Sequence, residues 1–448
     1  MQRVPLIIGS ILVALIGPAG AQERIAYEDY RLDNGLRVIL VQDHSVPIVT
    51  IDIWYNVGSA NERSGRSGFA HLFEHMMFQG SANVGKAEHG QLVNRAGGTD
   101  NGTTNSDRTA YFETLPANRL NLGLWLEADR MRSLAITEEN FENQRNAVQE
   151  ERRLRVDNQP YIGAVLDGLT MLYDSTECFP YAHTVIGSMD DLNAAQVADV
   201  QAFFNAYYAP GNATLTVVGD IDPTDAKGLI RQYFADIPAG RQPPPVQCSW
   251  KVGTQAQQQT YEDKLATLPA VVTLYRTPGH DDPDSHALQL LDIILGTGES
   301  SRLNKKLVRE TKSALQIQTL AQSQRWGTPF AAVAIANQGV DAKVIAEQLA
   351  AEIARVQTEG VTEDELQKAK NSFRANDIFG RQTTMSIAER VQHFVHFHPS
   401  LEEMETDLDA YMAVTREDIQ RVARKYLTAA NSLTLLVVPE AAKESPVP

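Results

Sequence analysis

The sequence predicts an α+β fold of two homologous, α/β-sandwich-like domains, because strand and helix patterns recur in the same order in its two halves. In each half a β-branched strand pattern precedes a turn-rich loop and then an apolar helix, at 38–78 and again at 270–295. A proline-rich segment at 237–245 separates the halves, since consecutive prolines resist helix and sheet. We therefore expect two mainly antiparallel sheets, each with helices packed on one face.

The individual elements follow from short local patterns. The predicted strands of the first half lie at 38–41, 49–53 and 213–220, and those of the second half lie at 270–276 and 432–438. A helix with no set of metal ligands is predicted at 285–295. With 448 residues, 43% of them hydrophobic, the chain is long enough for two sizeable cores. The predicted segments are an N-terminal domain at 22–238, a linker at 239–255, a homologous C-terminal domain at 256–440 and a tail at 441–448.

The first 21 residues are predicted to be a signal peptide. Arg3 precedes an apolar run at 4–16, which is shorter than the roughly 20 residues that span a bilayer. Ala19 and Ala21 give the small-residue pattern of a cleavage site. The residue directly after Ala21 is Gln22 and not a cysteine, so no lipid anchor is expected, and no later segment predicts a membrane span. We expect the mature chain to be exported to the periplasm of a Gram-negative bacterium.

Charge and cysteine content exclude one class of partner and leave one question open. The chain has 40 Lys and Arg against 56 Asp and Glu, a net charge of −16, which argues against a nucleic-acid partner. Its two cysteines are Cys178 and Cys248. They can form a disulfide in an oxidising compartment or remain buried thiols, because the sequence does not give the distance that decides between these states.

The pattern His-x-x-Glu-His at 71–75 carries most of the chemical information in the sequence. Residues four apart lie on one helix face, so His71 and His75 can present both imidazoles to one metal ion. Glu74 shares that face and can take a proton from metal-bound water. Zinc suits such a site because it accepts three protein ligands and keeps an open position for water. The pattern is typical of zinc peptidases, although it also arises by chance among ordinary helix residues.

A third ligand is expected from a downstream helix predicted at 141–156. This helix presents the neighbouring carboxylates Glu150 and Glu151. Adjacent helical side chains diverge by about 100°, so only one of the two can face the metal. Helix geometry alone leaves the choice between them open.

Several further segments accompany the motif and the downstream Glu151. They are 34–38, 58–59 and 65–70 before the motif, and 97–98, 101–104, Asp107, Tyr111 and Gly187 after it. Together they resemble the family of pitrilysin, insulin-degrading enzyme and mitochondrial processing peptidase over nearly the whole chain after residue 21. The resemblance implies that His71, His75 and Glu151 of the N-terminal domain bind one Zn²⁺ and that Glu74 activates water. It also implies two domains that face each other across a chamber, in a zinc-dependent endopeptidase acting on unfolded peptides.

Two positions depart from the family pattern. Gln144 stands where many members carry a Glu on the helix of the third ligand, and its amide can still form hydrogen bonds. In the second half, Arg309 matches a substrate-holding Arg, but Gln316 replaces the Tyr that follows it in active members. We expect Arg309 to bind substrate. We also expect a homologous partner subunit, in a heterodimer or a homodimer, to supply the missing part of the substrate clamp.

The segment 97–111 predicts a turn that leads into a Thr-rich strand. An exposed strand edge can pair with an extended peptide through main-chain hydrogen bonds, whatever the peptide sequence. Asn101 and Thr103 are the predicted substrate contacts. An ordinary hairpin is the alternative.

A second group of histidines, His393, His396 and His398, is interpreted as structural. It has no accompanying carboxylate pattern, and its aromatic neighbours before Pro399 indicate a partly buried helix end. Two alternatives to a peptidase also stay open at this stage, a non-catalytic scaffold or peptide-binding subunit and a zinc-binding protein. Glu74 separates them from the peptidase because only hydrolysis needs it.

Overall fold

The computed structural model describes residues 24–321 and 324–440. The predicted signal peptide at 1–21 and the predicted tail at 441–448 lie outside the described residues. Within the described ranges, no helix combines the length and the apolar character that crossing a bilayer requires.

The first sheet takes its strands from the first half of the chain. They are β1 (Glu28–Arg31), β2 (Arg37–Gln42), β3 (Ile48–Tyr55), β4 (Thr99–Thr104), β5 (Thr109–Pro116) and β6 (Ala213–Gly219). In the described part of the chain their order is β1-β2-β6-β3-β5-β4. β2 and β6 run parallel, and the other neighbours run antiparallel. β4 therefore forms one edge of the sheet.

The second sheet repeats this arrangement with strands from the second half. They are β7 (Gln257–Asp263), β8 (Ala270–Thr277), β9 (Ala314–Ala321), β10 (Thr328–Ala336) and β11 (Ser432–Pro439). Among the described residues their order is β7-β11-β8-β10-β9, with β7 parallel to β11 and the other pairs antiparallel. This order matches β2-β6-β3-β5-β4 strand for strand. The α+β fold with two related domains is confirmed.

Helices surround both sheets. Those of the first half are α1 (Phe69–Met76), α2 (Glu88–Arg95), α3 (Leu120–Ser133), α4 (Glu138–Arg152), α5 (Ile162–Met171), α6 (Met189–Ala194), α7 (Val197–Tyr207) and α8 (Pro223–Phe234). Those of the second half are α9 (Ser285–Gly296), α10 (Ala342–Glu359), α11 (Glu363–Phe379), α12 (Thr384–Phe397), α13 (Asp407–Ala413) and α14 (Arg416–Tyr426). Apolar helix faces bury against alternate strand residues, so that each half has its own large core.

Each sheet is also covered on its second face by a helix from the other half, which corrects the expectation of helices on one face only. α12 packs on β3 and β6, and its Val391 and Phe394 join Ile39 in a buried cluster. In the opposite direction α5 packs on β8 and β11, where Ala164 meets Leu274. Strand residues alternate between two sides, and here both sides are apolar and need cover. The exchanged helices interlock the two halves.

The segment between α8 and β7 has neither helix nor strand. A disulfide between Cys178 and Cys248 ties it to the first half, and the backbone N–H of Ser249 donates to the carbonyl of Glu177 at 3.0 Å. The structure thereby answers the question that the sequence left open, since the two cysteines pair. The predicted linker is attached to the loop that follows α5.

Candidate metal centre

The motif lies on the short helix α1, which is fixed at its N terminus and on its apolar face. Gly68 caps the helix in the left-handed region, with φ of 88°. The buried Glu62 carboxylate accepts hydrogen bonds from the backbone N–H groups of Gly68 at 2.9 Å and Ala70 at 2.7 Å. Leu72 and Phe73 are fully buried in the first core. Because this side of α1 is held in the core, the polar residues of the motif line the cavity on its other side.

Two histidines and one carboxylate converge at α1. His71 Nε2 lies 3.6 Å and His75 Nε2 lies 3.2 Å from Glu151 Oε2. Ligands bound tetrahedrally to zinc at about 2.0–2.2 Å lie about 3.3 Å from one another, so the three groups fit one zinc ion with little movement. Burial, followed by the field of His75, lowers the pKa of His71 to about 4. His71 is therefore neutral at pH 7, as a metal ligand must be.

The geometry of α4 distinguishes the two neighbouring carboxylates. The Glu150 side chain is 60% exposed and pairs with Arg153 at 2.8 Å, whereas the Glu151 side chain is 18% exposed. Glu151 Oε1 accepts from Arg155 at 3.0 Å, which leaves Oε2 directed at the histidines. The chain beyond α4 widens into a π-helical turn at Arg153–Asp157, a feature frequent near functional sites. The structure thus brings Glu151, and not Glu150, to the two histidines.

Glu74 lies beside this group of ligands and has its own support. The Thr104 hydroxyl on β4 donates to Glu74 Oε2 at 2.6 Å. Burial raises the pKa of Glu74, and the hydrogen bond from Thr104 opposes that rise. A Cβ added to Gly102 would lie 3.0 Å from Glu74 Cγ, so a side chain at this position of the neighbouring strand would press on Glu74. The site therefore offers a metal-ligand set next to a positioned carboxylate that can accept a proton.

The ligands and Glu74 line a cavity of about 660 Å³. Asn101 and Thr103, the predicted substrate contacts on β4, line the same cavity, and so does Gln144. Arg309 is not among the lining residues. Its side chain is 53% exposed and pairs with Glu299 on the surface. Gln316 is exposed on β9. The structure thus places two of the three predicted substrate residues at the cavity and the third elsewhere.

Two supporting groups were missed from the sequence. Glu62 holds the N terminus of α1 and accepts from His183, whose Nε2 is 3.0 Å away, and Thr104 holds Glu74. The contacts of His183 with Glu62 and of Thr104 with Glu74 join segments 121 and 30 positions apart, whereas Glu62 lies only six positions before Gly68.

Two patterns of known protein families match the chain. The family pattern described as "Insulinase (Peptidase family M16)" matches residues 37–169, and these include the motif and Glu151. The pattern described as "Peptidase M16 inactive domain" matches residues 194–373. The chain belongs to peptidase family M16. Residues 37–169 include the candidate ligands, and the match to the inactive domain begins beyond them, at residue 194 of the first half.

Relatives of known name are similar over most of the M16 chain. The zinc protease PqqE of Helicobacter pylori is 28% identical over 443 residues, which are 96% of this chain and 98% of the relative. An uncharacterized zinc protease of Mycobacterium leprae is 28% identical over 405 residues, which are 88% of each chain. These names support a peptidase family with zinc.

Solved structures show the same fold. A protease from Helicobacter pylori superposes with a TM-score of 0.87 at 28% identity, over 93% of this chain and 100% of that one. The periplasmic protease PqqL from Escherichia coli matches with a TM-score of 0.74 at 19% identity, over 92% of this chain and 47% of that one. PqqL is thus a chain of about twice the length of the matched unit.

Proposed function

We propose that this M16 protein is a zinc-dependent endopeptidase that hydrolyses unfolded peptides or protein segments. The observation that carries the proposal is the convergence of His71, His75 and Glu151 beside Glu74 in one cavity. The first three residues would hold Zn²⁺, and Glu74 stays outside the ligand set as the acid–base group. The names of the zinc protease relatives support this proposal.

The residues of the chain divide the chemistry between them. Bound zinc would supply a Lewis acid and lower the pKa of a bound water to about 7. Glu74 takes the proton of the attacking water and later gives it to the amine of the leaving peptide. The Thr104 hydroxyl engages Glu74 Oε2, so that Oε1 is left for the proton. Burial raises the pKa of Glu74, which makes its carboxylate a stronger acceptor for this proton.

The edge strand β4 gives the cavity a way to hold peptides of many sequences. An extended peptide can add to this edge through main-chain hydrogen bonds. Asn101, Gly102 and Thr103 of β4 line the cavity next to Glu74, so a peptide paired there lies beside the ligand set. We assign Asn101 and Thr103 to substrate contact. Selectivity among peptides is then expected to be broad.

We further propose that a homologous partner subunit completes the substrate site, in a heterodimer or a homodimer. Within this chain the exchanged helices α5 and α12 interlock the two halves, so we place the family's chamber between two chains. Arg309 lies on the surface in an ion pair, available to a partner's cavity, and Gln316 stands in the Tyr position. The doubled length of PqqL supports an assembly of two such units.

Export to the periplasm is the corresponding proposal for location. The disulfide between Cys178 and Cys248 supports it, because such bonds persist in oxidising compartments. A non-catalytic scaffold that binds peptides is the second candidate function. It is favoured by Gln316 and by the match of residues 194–373 to an inactive domain.

The test compares zinc content with hydrolysis of a mixed library of unstructured peptides. Wild-type chain, Glu74→Gln and Glu150→Gln are each purified with and without a co-expressed homologous partner. Glu74→Gln is expected to keep its zinc and to lose hydrolysis by about 10²–10⁴-fold, because it removes the proton acceptor alone. Glu150→Gln is the matched control, since it neutralises an exposed carboxylate next to Glu151 and should change neither quantity.

Each outcome separates the candidates. Zinc without hydrolysis in every preparation supports the scaffold. Hydrolysis that survives in Glu74→Gln contradicts the role of Glu74. Full hydrolysis by a wild-type chain that is monomeric in solution contradicts the partner subunit.

A further inference from the structure

A second group of donors lies in the second half of the chain. His280 is in the loop between β8 and α9, His393 is near the end of α12, and His398 follows α12 directly. One ring nitrogen of each lies within 4.8 Å of the other two, and none of the three lines the cavity at His71. The sequence pattern shows only His393 and His398 together, because His280 is 118 positions away from His398.

The ring geometry of these three histidines suits a shared ion. His280 Nε2 and His398 Nε2 face each other at 2.7 Å. The ring centroid of His393 is 4.9 Å from that of His280 and 5.5 Å from that of His398. Two nitrogen ligands of one zinc ion lie about 3.3 Å apart, so His280 and His398 need to separate by only about half an ångström. A cation between them replaces the single proton that their facing nitrogens share.

A carboxylate fixes the orientation of His398 from behind. His398 Nδ1 lies 2.9 Å from Glu403 Oε2, so Nδ1–H donates to the carboxylate and the lone pair of Nε2 points to the cluster. This arrangement of carboxylate and histidine is the usual support of a metal-bound imidazole. Asp281 and Asp407 add negative charge that acts on His398. The supporting carboxylate of Glu403 lies only five positions after His398 in the chain.

Another group of three possible donors is, by contrast, a poor candidate for a metal site. His89, Glu113 and Glu127 also lie close together, but all three are buried. The Arg130 guanidinium pairs with Glu127 and lies over the ring of Tyr111, with its carbon 4.5 Å from the ring centroid. A fixed cation thus already neutralises that group. The histidines at 280, 393 and 398 are half-buried, which leaves a route for an ion.

We propose that His280, His393 and His398 bind a second Zn²⁺ ion with a structural role. Three imidazoles suit borderline transition metals and not Mg²⁺ or Ca²⁺, which prefer oxygen ligands. Glu403 is engaged with the back of His398, so it is not placed as a proton acceptor toward the ion.

The position of the cluster explains what such an ion does. His396, two residues before His398, turns onto Trp54 of β3, with ring centroids 5.3 Å apart. The end of α12 thus contacts the first sheet on one side and the cluster on the other. An ion that joins it to the loop after β8 fastens the exchanged helix to the second domain. Its loss is expected to lower stability rather than to abolish the chemistry at His71.

The test uses the full chain with the first site removed by His71→Ala and His75→Ala. After dialysis against zinc and then metal-free buffer, this variant is expected to retain about one ion per chain. Adding His398→Gln is expected to remove that ion and also to abolish the zinc-dependent rise in Tm. His44→Gln in the same background is the matched control, because His44 lies in the first half and pairs with Asp220, away from the three histidines.

A second measurement uses the unaltered chain, so it tests the proposal even where the variants fail to fold. Co²⁺ titration of the unaltered chain, followed by d–d absorption, is expected to saturate at about two ions per chain, with one spectrum from each ligand set. Saturation at one ion contradicts the second site. So does an ion that His398→Gln leaves in place, or a first-site variant that folds but holds no zinc. Because the first site is absent from the main test, its outcome does not depend on the proposed peptidase activity.

Discussion

Replacing Thr104 with valine isolates the hydrogen bond that supports the proposed general base. The change removes the hydroxyl that donates to Glu74 Oε2 at 2.6 Å and keeps a branched side chain of similar size. A hydrogen bond to a charged group contributes about 1.5–3 kcal/mol. Glu74 is only half-buried, so we use the lower end of this range. Since about 1.4 kcal/mol is a factor of ten, the protonated form of Glu74 should gain about tenfold over the carboxylate.

The sign of the effect follows from which form the hydrogen bond stabilises. Burial raises the pKa of Glu74, and Thr104 opposes the rise by stabilising the carboxylate. A general base acts when deprotonated, so kcat/KM falls as pH falls through this pKa. In Thr104→Val the pKa rises further, and the acid limb of the pH profile should move to higher pH. Below that limb the variant should be about tenfold slower, while above it the rates should nearly agree.

The assay is kcat/KM for one unstructured peptide measured across the acid limb. Thr99→Val is the matched control, because Thr99 lies on the same strand, is exposed and does not line the cavity. A limb that stays in place in Thr104→Val, or moves equally in Thr99→Val, would refute the reasoning. A uniform loss of rate at every pH would do the same, since it would indicate a displaced strand.

Three further predictions follow from the contacts. Glu151→Gln should weaken zinc binding by more than about 100-fold, measured by chelator competition. Removing a metal ligand should lower the affinity more than removing a group that only forms a hydrogen bond to a ligand. Gly102→Ala should lower kcat by about tenfold at unchanged zinc content, because its Cβ would lie 3.0 Å from Glu74 Cγ. Replacing Cys178 and Cys248 by serine should lower the free energy of unfolding by about 4 kcal/mol, measured with urea, since the disulfide spans 70 positions.

Each of these predictions has a control within the chain. Glu150→Gln should keep full zinc affinity, and equal losses in both Glu variants would contradict the choice of Glu151. Gly228→Ala, on α8 with open space around it, should keep kcat. Reducing agent added to the wild-type chain should reproduce the double serine variant. An unchanged urea midpoint in that variant would mean that the bond does not form.

Local sequence patterns predicted the main strands and helices of the fold. The β-branched run at 49–53 lies within β3, and the predicted helix at 285–295 is α9. The repeat of strand, loop and helix in the two halves corresponds to two sheets of one topology. These predictions hold because alternation in a strand and the face of a helix depend on residues only a few positions apart.

Local patterns could not predict which helix packs on the second face of each sheet. An apolar residue on a strand shows that one face is buried, but it does not show which helix buries it. Ile39 and Leu274 are covered by helices from the opposite half of the chain. Only the path of the connecting segments determines that exchange.

The sequence by itself determined the chemistry of the candidate site. His71, Glu74 and His75 share one helical face whatever the rest of the chain does, because the helix repeat fixes their spacing. The tertiary structure decided the rest, namely that Glu151 and not Glu150 faces them and that Thr104 holds Glu74. It also decided the pairing of the cysteines and the meeting of His280 with His398. These contacts join residues far apart in the chain, and their distances exist only once both sheets and their exchanged helices have packed.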